Sequence, residues 1–210
     1  MLLRSCFALM LVLLCAGCQK SQDQQFTRFY DDGVAKPIVA ICPVIDSTSH
    51  ELPWSLSEEF TQLVVDFSSH EQSLYIPSKK TYKNPPRVQD NPFTGDLSWV
   101  KEQFAPHEFV VFLEVLEHSN QPVEKNAKHG PAIEANSSIS SNLVTTFRIR
   151  IVDIRKEQPI VVLQEILHDS YYVTKSLIPI DYQEVSWGSA EYVEAPLCIA
   201  HDRMARDIVE

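Results

Sequence analysis

Residues 147–167 read Phe-Arg-Ile-Arg-Ile-Val-Asp-Ile-Arg-Lys-Glu-Gln-Pro-Ile-Val-Val-Leu-Gln-Glu-Ile-Leu (FRIRIVDIRKEQPIVVLQEIL). Arg148 and Arg150 alternate with Phe147, Ile149 and Ile151, the two-residue period of a β-strand. Arg155-Lys156-Glu157-Gln158 then forms a short polar break, and a second run rich in branched residues follows. The pattern predicts an antiparallel hairpin, with strands over Ser140–Ile154 and Gln158–Leu167, both half-exposed. Asp153 closes the first strand as an ordinary hairpin residue.

Upstream, Phe109-Val-Val-Phe-Leu-Glu-Val-Leu116 is apolar almost throughout and reads as a central strand. Lys36–Cys42 is a second short apolar run, buried on both faces, whose ladder Pro43 stops. Ser55-Leu-Ser-Glu58 is a capping box opening a helix of about 14 residues, with Phe60, Leu63, Val64 and Phe67 on one stripe. Ser73–Ile76 reads as a short strand ending at Pro77. Asp96 caps a short helix carrying Leu97, Val100 and Phe104. From about Pro196 a last helix presents Leu197, Met204 and Ile208. The expected fold is therefore α/β (α+β): a mixed sheet of about five strands backed by helices, in the order β-α-β-α-β-β-β-α.

The N-terminus gives an address. Arg4 precedes an unbroken apolar stretch from Cys6 to Ala16. That is too short for a membrane span, which needs about 20 apolar residues, and it fits the core of a secretory signal. Ala16 and Gly17 before Cys18 resemble a bacterial lipobox, although Cys15 stands where an aliphatic residue is usual. The resemblance implies cleavage between Gly17 and Cys18, removal of residues 1–17, and palmitate-type acylation of Cys18. Residues 18–35 are polar and read as a tether, and residues 36–210 as a single domain. The expected location is the periplasmic side of a bacterial envelope membrane. Gln19 is not the aspartate associated with inner-membrane retention, which favours the outer membrane.

With 44% hydrophobic and 10% aromatic residues the chain can bury a real core. A net charge of −10 speaks against nucleic acid, whose binding rests on Lys and Arg. Of the five cysteines, Cys42 and Cys198 remain beyond Cys18, an even pair that allows a disulfide in an oxidising compartment. Five glycines form no phosphate-cradling loop. Five histidines precede an acid (His50-Glu51, His70-Glu71, His107-Glu108, His168-Asp169, His201-Asp202), but none has the spacing of a helical metal pair. Each is expected to sit solvated at an element end. Asp46, Asp153 and Glu165 are carboxylates without a catalytic pattern. The reading assigns no catalytic residue, no metal and no cofactor.

Two segments are candidates for a partner surface. Tyr182, Trp187 and Tyr192 concentrate aromatic side chains of the kind found at binding hot spots. The proline-rich excursion from Pro77 to Gly95 carries Lys79, Lys80, Lys83 and Arg87, which could dock an acidic partner.

Three stretches taken in order resemble one family. IVAICPVIDST (38–48), FVVFLEVLE (109–117) and the hairpin at 147–167 are similar to curli-secretion-type lipoproteins and to the lipoprotein activators of peptidoglycan synthases. A looser likeness joins uncharacterised small lipoproteins of chlamydia-type bacteria. The glycine usual at the hairpin turn is replaced by Lys156-Glu157-Gln158. The resemblance implies a tethered, non-enzymatic protein that binds another envelope protein and supports a cell-wall or export machine. A self-assembling secretion component is one alternative, and an envelope hydrolase another.

Overall fold

The computed structural model describes residues 27–49, 52–77, 91–122, 141–174 and 180–210. The elements are β1 (Val39–Ile41), β2 (Ile45–Asp46), α1 (Leu56–His70), α2 (Ser98–Phe104), β3 (Phe109–Pro122), β4 (Ser141–Asp153), β5 (Ile160–Val173), α3 (Ala190–Glu194) and α4 (Pro196–Val209). They form one mixed five-stranded sheet in the order β1-β3-β4-β5, with β2 also beside β3. The fold class read from sequence is correct.

β1 and β2 are two halves of one line along β3, both parallel to it. The Cys42 amide still donates to the Val111 carbonyl at 3.0 Å. Pro43 has no amide proton to continue the ladder, and pairing resumes at Ile45 opposite Glu114. Ser73–Ile76 is not a strand. Only Tyr75 bridges to Ile38, because Pro37 and Pro77 remove the donors that would extend the pairing on either side.

The antiparallel hairpin forms where expected, with β4 and β5 paired from Asp153–Ile160 to Ser141–Val173. Its two strands are not both half-exposed. β4 is central and largely buried on both faces, whereas β5 is the edge and is exposed along nearly its whole length. The arginines of β4 are absorbed by a loop that periodicity does not reveal. Arg148 and Arg150 lie 4.2 Å and 5.5 Å from the centroid of Phe93, and Arg150 donates to the carbonyls of Pro92 and Thr94. Arg148 also pairs with Glu114, whose carboxylate accepts from the Ser47 hydroxyl at 2.6 Å.

Two apolar clusters follow from strand alternation. Leu113, Val115, Leu143, Phe147 and Ile149 face α1 and α4, meeting Phe60, Val64 and Met204. Val110, Phe112 and Val152 point the other way, onto Val100 and Phe104 of α2. Ser55 caps α1, its hydroxyl accepting from the Glu58 amide at 3.2 Å. Asp96 accepts from the Ser98 amide at 3.0 Å just ahead of α2. The last residues of the expected tether are folded back. Gly33, at φ +85°, turns the chain so that Phe29 bridges to Ala35, and the Tyr30 hydroxyl donates to the Ser73 carbonyl.

Candidate functional site

The inward stripe of α1 contains Leu56, Phe60 and Val64, and with them Glu59, which is fully buried. The inward stripe of α4 contains Leu197, Cys198, Met204 and Ala205, and with them His201, also fully buried. These two meet. His201 Nδ1 lies 2.7 Å from Glu59 Oε1, and its Nε2 lies 2.8 Å from Nε2 of His118 on β3. Glu59 accepts two more hydrogen bonds, from the Tyr192 hydroxyl and from Trp54 Nε1 at 2.7 Å. One carboxylate thus gathers donors from the segment before α1, from α3 and from α4, and reaches β3 through the imidazoles.

A carboxylate buried without donors would cost several kcal/mol, so three charge-assisted bonds are the condition for its presence. The contact with Glu59 fixes the His201 ring and sets its Nε2 against His118. The other neighbours of Glu59 are not activated: burial, with the Glu59 charge, pushes the Cys198 thiol up to about 12. The same two causes raise the Tyr192 phenol well above its ordinary range. Neither is a nucleophile near neutral pH. What the cluster does is clamp the C-terminal helices to α1 and the sheet.

The expectation that the His-acid pairs are solvated is corrected for two of them. His201 lies in the cluster just described, and His107 is buried with Nδ1 at 2.5 Å from the Phe104 carbonyl. His70-Glu71 and His168-Asp169 are exposed at the surface. His50-Glu51 lies outside the described residues. Asp46 accepts from Thr48 in a turn, Glu165 is exposed on β5, and Asp153 is bonded to Arg155 at 2.6 Å.

The aromatic candidates divide. Tyr192 is a core residue, not a contact surface, and rings of Trp54 and Trp187 lie 5.6 Å and 5.1 Å from it. Tyr182 is half-buried, packed beside Val185 and Cys198. Trp187 alone of the three is exposed, at 40%. The disulfide that an even pair allows is also corrected. Cys42 and Cys198 are both free and buried in different clusters, Cys42 with α2 and Cys198 beside Tyr192. Gly17, Cys18, Lys79, Lys80, Lys83 and Arg87 lie outside the described residues.

Sequence reasoning missed Glu59 and His118. The signal for His201 was present: its neighbours at three- and four-residue spacing, Leu197, Cys198, Met204 and Ala205, are all apolar, whereas Glu59 has Leu56 and Leu63 but also Ser55 and Gln62. His118 carries no such mark, because a bulge at Val115–Glu117 shifts the strand's alternation just before it.

The second unusual region is β5. Val162 is 53% exposed, Ile166 61% and Tyr172 54%, and Ile160, Val161 and Leu163 are also exposed. Only its far end is held down, by Leu167 and Tyr171 against the α1/α4 cluster and by the Tyr171 hydroxyl donating to Asp207 at 2.7 Å.

A family model matches residues 25–210, nearly all of the chain. The chain belongs to a family of unknown function, DUF7499. No curated protein matches it. Among solved structures it is similar to the hypothetical protein CT253 of Chlamydia trachomatis. The TM-score is 0.61 at 26% identity, covering 83% of this chain and 94% of that one. The chlamydial side of the sequence likeness is met there, at the level of the fold. Lipoprotein GNA1162 of Neisseria meningitidis matches at TM-score 0.39 and 10% identity, over 67% of this chain and 86% of its own. The PelC dodecamer of Paraburkholderia phytofirmans matches at 0.41 and 10%, over 83% and 85%. At that distance neither bears on what this chain does. Among the described residues no helix is long and apolar enough to cross a membrane.

Proposed function

We propose that this chain is an envelope lipoprotein, acylated at Cys18 and facing the periplasm. Its α/β domain acts as a protein-binding accessory or activator of a cell-wall or export machine. The observation that carries this reading is the sealing of the buried carboxylate–imidazole cluster. Glu59 and His201 are fully buried and bonded to Tyr192, Trp54 and His118, and they serve packing. What remains for function is the outer surface, where exposed Trp187 packs at a tilt against Tyr192 near exposed Val193. The signal-like segment ahead of Cys18 supports the anchor, and two or more acyl chains make such an anchor stable. The resemblance of residues 38–48, 109–117 and 147–167 to activator lipoproteins supports the accessory role, and Gln19 favours the outer membrane.

The test is cross-linking in living cells from a photoreactive amino acid in place of Trp187, with products identified by mass. A defined envelope protein in near-equal amount is expected, and Cys18→Ser should abolish both palmitate labelling and that product. Labelling unchanged by Cys18→Ser would remove the anchor. Recovery of nothing but the chain's own copies would remove the accessory role.

A further inference from the structure

His118 and His201 are both buried, and their Nε2 atoms stand 2.8 Å apart. A hydrogen bond between two ring nitrogens holds a single proton. Two lone pairs facing each other would repel, and so would two N–H groups. This is so whichever tautomer each ring adopts. The two rings are therefore never both imidazolium while that bond is made.

The bond also joins two parts of the molecule that are held in different ways. His118 belongs to β3, which is paired with β4 from Phe109 to Pro122. His201 belongs to α4, whose other inward side chains are Leu197, Ala200, Met204 and Ala205, all apolar. The sheet is thus held by backbone ladders, and α4 rests on it by packing and by this contact.

We propose that the imidazole pair is an acid-sensitive latch: uptake of a second proton separates His201 from His118 and lifts α4 off the sheet, while β3, β4 and β5 stay paired. Among the described residues the surrounding groups do not offset a second cation. Glu59 of α1 supplies at most one negative charge against two imidazolium ions, and it already accepts from Tyr192 of α3 and from Trp54. Burial first, and the Glu59 charge, push the Cys198 thiol of α4 up to about 12, so it stays neutral. Thr145 of β4, opposite His118, carries no charge. Asp169 of β5, opposite Thr145, is exposed to water, as is Asp207 of α4, which accepts from the Tyr171 hydroxyl.

The direction of the effect follows from the count of protons. Once separated, both rings can be protonated near the ordinary imidazole value of about 6.5. Release binds more protons than closure, so closure is favoured above that range and lost as pH falls through it.

The test uses the purified full-length chain. Met204, 2% exposed on the inward face of α4, reports release through its oxidation by hydrogen peroxide, read by peptide mass. Cys42, buried in the α2 cluster, reports whether the sheet stays closed, through labelling with a pyridyl disulfide. Each rate is divided by that of the urea-unfolded chain at the same pH. From about pH 6 to about pH 5, above the ordinary carboxylate range, the Met204 rate should rise at least about fivefold and the Cys42 rate less than about twofold. In His118→Gln the side-chain amide can donate to His201 or accept from it, so it meets either protonation state. The Met204 rise should then fall below about twofold. A wild-type Met204 rate indifferent to pH, or an equal rise at Cys42, would overturn the latch without recourse to the variant. So would a rise that persists in His118→Gln. The partner captured from position 187 is a separate question, and the accessory role stands or falls apart from the latch.

Discussion

The α1–α4 interface and the β5 edge invert the usual allocation of side chains. The first buries Glu59, His201 and His118, and the second leaves Ile160, Val162, Leu163 and Ile166 in water. The inversion has opposite consequences in the two places. Inside, Glu59 and His201 both have partners from other elements, so the cost of burying them is met within one chain. At the edge nothing among the described residues covers the aliphatic side chains, so whatever covers them comes from outside that set. Residue type alone does not decide burial; the supply of partners does.

The largest test of the comparison is Glu59→Ala. It leaves the donors of His201, Tyr192 and Trp54 buried without their acceptor, and breaking a buried pair in this way costs about 3–5 kcal/mol. Urea unfolding should show that loss. A change below about 1 kcal/mol would mean that the interior cluster is not a clamp. Next comes Ser55→Ala, which removes the cap that starts α1 one turn before Glu59. A loss of about 1 kcal/mol is expected by the same measurement.

A smaller effect lies at the hairpin between the buried strand and the exposed one. The Arg155 guanidinium holds the Asp153 carboxyl down to about 2. The folded value is below the unfolded one, so the pair stabilises above the ordinary aspartate range and is lost as pH falls towards 2. The wild-type chain should lose stability over that interval by a step that Asp153→Asn lacks, seen in acid titrations followed by circular dichroism. The smallest effect is on the edge itself. Ile166→Thr, at 61% exposure, should change the chain's own stability by no more than about 0.5 kcal/mol. A loss of several kcal/mol would show that Ile166 is already buried, and would remove the contrast.

Much of the fold was legible because it is written in local period. Ser55 and the stripe of Phe60 and Val64 mark α1, and the polar break at 155–158 marks the hairpin between β4 and β5. The site was less legible. His201 read as one of several histidines before an acid, and its partner Glu59 lies 142 residues away in the chain. Tyr192 looked like an interface aromatic for the same reason: an amphipathic ring suits a surface or a core, and only its contact with Glu59 decides.

The sequence by itself determined most of the elements, their order and the hairpin, because capping, turn chemistry and hydrophobic period act over a few residues. The tertiary structure alone decided that the arginines of β4 lie under Phe93, that Glu59 and His201 share a core, and that β5 is the edge. Those outcomes depend on which distant elements meet. An apolar run reads the same at the centre of a sheet as at its margin, and its neighbours make the difference.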